Sequence, residues 1–297
     1  MVDDWRLHAV LAAALVAVVA LGVASSSNGL GFRLPLSGSE APALPDPEKP
    51  VPRDPHRLAT SLEETTLDLR EAIARWRDEG DPASGEPPED VTLLGLYQQR
   101  IYLFLGSRQP LARRVVPLLS PDVAPDARDI LRARRTLGEL NPPTRQRRFR
   151  TGRALPAGRL LDFYRAAERR FGVSRRVLAA VNLVETGFNR IRSNSTAGAQ
   201  GPMQFIPSTW RRYGMGGDIH DPRDAIMGAA NYLQASGAPR DYRRALYAYN
   251  PSTLYVDAVL AYARTMRRRS DAYYALYSWQ IFVRRPNGVE RITGPGL

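Results

Sequence analysis

Cysteine is absent from the 297-residue chain, and histidine and lysine are scarce. Without cysteine the protein has no disulfide, no thiolate metal site and no cysteine nucleophile, so the fold depends on its core alone. The three histidines, His8, His56 and His220, are scattered along the sequence. A histidine-based metal site or a serine triad is therefore not expected, and the sequence predicts no metal or other cofactor.

The basic charge is carried almost entirely by arginine, since Lys49 is the only lysine among 42 basic residues. With 30 acidic residues the net charge is +12. A surface of this sign attracts polyanions such as nucleic acid, anionic lipid or an anionic cell-wall polymer, and charge alone does not choose among them. A hydrophobic content of 43% supports a packed core, and the length fits two modest domains.

An uncharged apolar run lies close to the N-terminus, from residue 7 to residue 24. As a helix it would span about 27 Å, near the hydrocarbon thickness of about 30 Å. We interpret residues 1–24 as a signal anchor, with a cleaved signal peptide as the alternative because Gly22 and Ala24 suit a cleavage site. The rest of the chain is then expected outside the cytoplasm, membrane-anchored or secreted, and nucleic acid is not an expected partner.

Composition divides the remaining chain into four further segments. Residues 25–57 are rich in Ser, Gly and Pro and are predicted to be a linker. Residues 58–150 are predicted to be a helical module of unknown role, without any constellation that suggests chemistry. Residues 151–270 are predicted to be a helical domain, and residues 271–297 a tail that forms a β-hairpin with an Asn-Gly turn.

Helical periodicity and capping residues predict a mainly α fold. Ser174, Asp221 and Asp241 each stand where a helix N-cap is expected. The predicted helices cover residues 58–79, 91–106, 127–140, 157–171, 175–186, 222–235, 242–249 and 252–268.

Glu185 ends an apolar helical stretch and is followed by a loop of small residues. Apolar neighbours such as Val184 and Phe188 would raise the pKa of its carboxyl group, which suits a general acid. Gly198, Gly201 and Pro202 permit tight turns beside it. From these residues alone, a solvated helix end remains the competing interpretation of Glu185.

A series of short motifs resembles the catalytic domain of soluble-type lytic transglycosylases, relatives of goose-type lysozyme. The resemblance covers residues 155–269. The matching motifs are Glu185-Thr186-Gly187-Phe188-Asn189, Gly198-Ala199-Gln200-Gly201-Pro202-Met203-Gln204, Pro207-Ser208-Thr209, Asp221-Pro222, Tyr232-Leu233, Ala248-Tyr249-Asn250 and Tyr255-Val256.

The resemblance implies a lysozyme-like fold and a glycosidic-bond lyase that acts on peptidoglycan. Glu185 would be the catalytic acid and then the base, cleaving between N-acetylmuramic acid and N-acetylglucosamine and leaving a 1,6-anhydro end. The expected partners are glycan strands, the membrane through the N-terminal segment, and anionic wall polymers. The implied substrate-binding residues are Thr186, Ser195, Gln204, Tyr249 and Asn250, with Ser193 competing for the place of Ser195.

Two departures from the family pattern keep other functions open. The segment that usually separates Ala-Tyr-Asn from Tyr-Val is reduced to Pro251-Ser252-Thr253-Leu254, so one wall of the cleft is predicted to be short. A non-catalytic wall-binding or scaffold protein is one alternative. A hydrolytic muramidase on the same fold is the other, and it would need an acid such as Asp218 to position water.

Overall fold

The computed structural model describes residues 43–145 and 148–297. Within these residues the chain forms eleven α-helices and one two-stranded antiparallel sheet, so the prediction of a mainly α fold with a C-terminal hairpin is confirmed. The candidate anchor at residues 7–24 lies outside the described residues, as does most of the predicted linker. Over the described part of the chain, no helix combines the length and apolarity needed to cross a membrane.

The helices follow one another with short connections. Their bounds are α1 Pro55–Glu79, α2 Glu89–Gly106, α3 Gln109–Val115, α4 Ala124–Leu140, α5 Ala157–Phe171, α6 Arg175–Thr186, α7 Pro207–Tyr213, α8 Pro222–Ala235, α9 Tyr242–Tyr249, α10 Thr253–Arg268 and α11 Ala272–Tyr277. A 3-10 turn at Val116–Leu118 follows α3, and the strands are β1 Phe282–Arg285 and β2 Gly288–Arg291.

The predicted helix starts are confirmed by their caps. The side chain of Ser174 accepts a hydrogen bond from the backbone N–H of Arg176 at the start of α6. Asp221 caps α8 and Asp241 caps α9 in the same way. Such caps depend on a few neighbouring residues, which explains why the sequence alone located them.

The hairpin exists, but its turn lies one residue earlier than predicted. Arg285 pairs with Gly288, so Pro286 and Asn287 form the loop in place of an Asn-Gly pair. Gly288 instead begins β2 with a φ of 145°, a conformation that glycine tolerates.

Three short helices were not predicted: α3, α7 and α11. Pro110 occupies the first turn of α3 and Pro207 the first turn of α7, positions where the missing N–H of proline costs nothing.

Helix α4 packs along α10, so the predicted helical module and the region after residue 151 share one hydrophobic core. Buried side chains from Leu58 on α1 to Trp279 after α11 belong to a continuous cluster. Ion pairs accompany this contact: Asp129 of α4 lies 2.6 Å from guanidinium nitrogens of both Arg264 and Arg268 on α10. The predicted boundary near residue 151 therefore does not divide two separate cores, because buried residues on both sides of it belong to the same cluster.

Candidate active site

Glu185 lies in the last turn of α6 and is 2% exposed. The helix stops directly afterwards because Gly187 adopts a left-handed conformation, with a φ of 58°. Phe188 and Asn189 continue with positive φ angles of 60° and 67°. This sharp reversal folds the following loop back over the end of α6, so Glu185 is buried and not a solvated helix end.

One carboxylate oxygen of Glu185 has a hydrogen-bond partner and the other has none. The hydroxyl of Tyr255, on α10, donates to Oε1 at 2.7 Å. Oε2 is buried without a partner among the described residues. Burial raises the pKa of Glu185 to about 8, and the Tyr255 hydrogen bond acts in the opposite direction. Glu185 is therefore protonated at neutral pH, as a general acid must be.

Replacing Tyr255 with phenylalanine is expected to raise the pKa of Glu185 further. The Tyr255 hydroxyl stabilises the ionised carboxylate, so its loss favours the protonated form. The alkaline limb of the pH–rate profile should move upward by about one pH unit. The measurement is peptidoglycan turnover against pH, with Tyr262→Phe as the control, since Tyr262 lies on the same helix. An unmoved alkaline limb would show that Tyr255 does not tune Glu185.

Thr186 is 1% exposed and joins the end of α6 to the next loop. Its hydroxyl donates to the carbonyl of Pro202 at 2.7 Å and accepts from the backbone N–H of Asn189 at 2.9 Å. Asn182 donates to the same Pro202 carbonyl at 2.8 Å. Asn182 also donates to the Thr186 hydroxyl at 3.2 Å, which fills the second acceptor site of that oxygen. In this conformation the threonine hydroxyl positions the loops around Glu185, and its donor and both acceptor sites are occupied.

Gln204 and Asn189 each present an unused polar atom beside this network. Gln204 is 6% exposed, and its side-chain nitrogen donates to the carbonyl of Gly201 at 3.0 Å. Its Oε1 and the Nδ2 of Asn189 are buried without partners among the described residues. A buried acceptor and a buried donor of this kind suit the hydroxyl and amide groups of a sugar. Asn189 was quoted in the motif but was not predicted as a site residue.

Ser195 and Ser193 both hold the loop between α6 and α7. The hydroxyl of Ser195 accepts from the backbone N–H of Ala199 at 3.0 Å, closing a small turn. Ser193 accepts from the backbone N–H of Arg150 at 2.8 Å and so ties the loop to the chain before α5. Ser195 is half-buried, and its proposed contact with substrate stays a prediction.

Tyr249 is half-buried and donates its hydroxyl hydrogen bond to the carbonyl of Met203 at 2.6 Å. The hydroxyl that contacts Glu185 is that of Tyr255 and not that of Tyr249. Burial raises the pKa of the Tyr249 phenol, and the negative charge of ionised Glu185 raises it further. Its ring is the first of three aromatic rings in a row. The ring centres of Tyr249 and Tyr232 lie 5.6 Å apart, and Tyr213 stacks on Tyr232 with ring centres 4.5 Å apart.

The segment that holds this arrangement resembles a known protein family. The family model described as the transglycosylase SLT domain matches residues 162–271. These residues are similar to an SLT domain, and SLT domain denotes this matched segment from here on. A search of curated proteins and a search of solved structures each found no match.

The SLT domain contains the whole site described above. Its bounds include Glu185 on α6, the Thr186 network, the aromatic row and Tyr255 on α10. Helices α1 to α4, α11 and the hairpin lie outside the matched residues, which begin within α5 and end at Asp271, directly before α11. The family's activity, lytic cleavage of peptidoglycan, therefore concerns the part of the chain that holds Glu185.

The connection between α9 and α10 of the SLT domain is only three residues long. Asn250, Pro251 and Ser252 join the two helices, which fits the short cleft wall predicted from the sequence. The Ser252 side chain accepts from the backbone N–H of Tyr255 and caps α10, so Asn250 does not cap this helix. Asn250 is half-buried at the end of α9, and its contact with substrate stays a prediction.

The acidic residues Asp218 and Asp221 of the SLT domain are exposed, and their carboxylates accept hydrogen bonds from backbone N–H groups. Asp218 accepts from the N–H of His220 at 2.8 Å, and Asp221 accepts from the N–H of Asp224 at 2.9 Å. These are turn and cap roles.

Among the described residues, no group of His, Asp and Glu side chains is arranged to hold a metal ion.

Proposed function

We propose that the chain is a peptidoglycan lytic transglycosylase in which Glu185 acts first as acid and then as base. The observation that carries this proposal is the state of the Glu185 carboxyl group. It is buried, Tyr255 donates to one oxygen, and the other oxygen has no partner among the described residues. Burial raises its pKa to about 8, which favours the protonated form at neutral pH. Such a group can both give and take a proton near physiological pH.

In the first step, protonated Glu185 donates its proton to the oxygen that bridges N-acetylmuramic acid and N-acetylglucosamine. The bond from that oxygen to C1 of the muramyl residue breaks, and N-acetylglucosamine leaves with a free hydroxyl. The muramyl N-acetyl group stabilises the positive charge that develops at C1. Because the substrate supplies this stabilisation, the reaction does not need a second carboxylate.

In the second step, the ionised Glu185 accepts the proton of the C6 hydroxyl on the same muramyl residue. The C6 oxygen then bonds to C1 and closes a 1,6-anhydro ring, which restores protonated Glu185 without consuming water. The Tyr255 hydrogen bond stabilises the carboxylate during the interval between the steps. Gln204, Asn189 and Asn250 would contact the sugar amides and hydroxyls, and Tyr249 and Tyr232 offer aromatic surface to a sugar ring.

Mass spectrometry of the muropeptides released from purified peptidoglycan tests the reaction type. We expect anhydro-muramyl ends, each lighter than the hydrolysed end by one water. Reducing ends would instead establish the hydrolytic muramidase. Binding to sacculi without release of either product would establish the non-catalytic scaffold, which the short α9–α10 connection keeps as the second candidate.

We also propose that the SLT domain works outside the cytoplasm, held at the membrane by residues 1–24 or secreted after their removal. The support is the apolar run at residues 7–24 and the location of peptidoglycan. The net charge of +12 favours contact with anionic wall polymers in addition to glycan strands. Fractionation of cells that express the full chain, with and without residues 1–24, checks this placement.

A further inference from the structure

A guanidinium group without a counter-charge is buried between α4 and the SLT domain. Arg134 is 1% exposed, and its Nε, Nη1 and Nη2 atoms have no hydrogen-bond partner among the described residues. Burial lowers the pKa of Arg134, and the nearby Tyr262 hydroxyl, which is uncharged at neutral pH, acts in the opposite direction. Because arginine remains protonated in proteins, this site holds a full positive charge in an apolar setting.

A small, mostly enclosed cavity of about 20 Å³ lies beside Arg134. This volume accommodates one particle of roughly the size of a water molecule. Its wall includes the last turn of α6 at Val184 and Thr186, on both sides of Glu185, together with Tyr262 and Trp279. The cavity therefore adjoins the helix turn that carries the catalytic acid.

The unused polar groups around this cavity are hydrogen-bond donors. Besides the three nitrogens of Arg134, the indole N–H of Trp279 is buried without a partner among the described residues. The Trp279 ring centre lies 5.7 Å from the guanidinium carbon. The two side-chain amide oxygens in the wall are already engaged, since Gln99 accepts from the backbone N–H of Gln280, and Gln280 accepts from Thr293. The Tyr262 hydroxyl also lies in the wall and acts on Arg134, but it carries no negative charge at neutral pH.

We infer that a chloride-sized monovalent anion binds between Arg134 and Trp279. The unpaired side-chain groups here are donors around one positive charge that has no acidic partner among the described residues, and they match an acceptor that carries negative charge. A water molecule would satisfy some of these donors but would leave the charge unbalanced. The cavity is too small for a carboxylate or phosphate, which limits the ligand to a single-atom anion. This inference does not depend on the proposed catalytic activity.

Thermal unfolding of the full chain tests the inference, with sodium chloride or bromide replacing sodium gluconate at constant ionic strength. Gluconate is too large for the cavity and keeps general screening equal. We expect the Tm to rise by about 4 °C in 200 mM halide. Arg134→Met should lose this dependence, because the apolar side chain removes the demand for an anion. Arg135→Met, an exposed neighbour on α4, should keep it.

Bromide soaking and anomalous diffraction give a second measurement that does not rely on a folded variant. The expected result is an anomalous peak within hydrogen-bond distance of the Arg134 guanidinium and the Trp279 indole nitrogen. Trp279→Phe, which removes one donor, should raise the half-saturating halide concentration about tenfold. Equal Tm values in halide and gluconate for the wild-type chain, or an ordered water without a bromide peak, would overturn the inference.

Discussion

Glu185→Gln is expected to lower the rate of peptidoglycan lysis about 10³-fold. Glutamine keeps the size of the side chain and can still accept the hydrogen bond from Tyr255, but it cannot transfer a proton. Both steps of the proposed reaction pass through this carboxyl group, so neither survives the substitution. The measurement is the release of soluble muropeptides from purified sacculi by the wild-type and variant chains.

Glu71→Gln provides the matched control for this loss. Glu71 is an exposed acid on α1, and the same chemical change there should leave lysis unchanged. If Glu185→Gln retained wild-type lysis, Glu185 would have no catalytic role, whatever its environment. Retained binding to sacculi by the variant would show that the fold and the glycan contacts remain in place.

A stability measurement separates lost chemistry from lost folding in this variant. The pKa of Glu185 is about 8 in the folded chain, above its ordinary value of 4.5, so the folded state holds the proton more tightly than the unfolded state. The free energy of unfolding of the wild-type chain therefore falls as the pH rises from 4.5 to about 8, because in this range Glu185 ionises in the unfolded state but not in the folded state. Glutamine carries no such cost, so the variant should be at least as stable as wild type at pH 8.

The largest expected loss of stability comes from Gly201→Ala. A Cβ atom at this position would lie 1.9 Å from the carbonyl oxygen of Ile219, and the φ of Gly201 is +72°. The backbone must shift to admit the methyl group, and the residue must also adopt a conformation that alanine disfavours. We expect a loss on the order of 4 kcal/mol in the free energy of unfolding, measured by denaturant titration.

Gly198→Ala is the control, because it shares the strained conformation without the collision. Gly198 has a φ of +80° in the same loop, and no atom lies within 4 Å of its added Cβ. Its substitution should cost about 1 kcal/mol, the conformational component alone. Equal losses of unfolding free energy at the two positions would show that the Ile219 carbonyl moves away at little cost. Gly201 would then be required by its backbone conformation and not by close packing.

The sequence predicted well those features that depend on neighbouring residues. Ser174, Asp221 and Asp241 are caps whose partners lie two or three positions away, and their helices begin where expected. The short helices α3, α7 and α11 were missed because few residues form them. Helices of this length are stabilised mainly by packing, which a local pattern does not contain.

The site shows the same division between local and distant contacts. Glu185 and its loop were recognised because the motif is continuous in sequence. The hydroxyl that touches Glu185 belongs to Tyr255, 70 residues further along, and nothing local distinguishes Tyr255 from Tyr249. The Tyr-Val motif contained Tyr255, but only the packing of α10 against α6 gives that residue its position. Arg134 was missed for a similar reason, since its surroundings come from α4, α10 and the segment after α11.

The shared packing of α4 and α10 has a consequence for how this architecture can be recombined. A gene fusion that transplanted only the matched residues, 162–271, would cut away the partner of one side of α10 and leave Arg264 and Arg268 facing solvent without Asp129. A fragment that keeps the shared core and these ion pairs must therefore include α1 to α4 as well as the matched residues. We expect the arginines of α10 and the aspartates of α4 to change together during divergence.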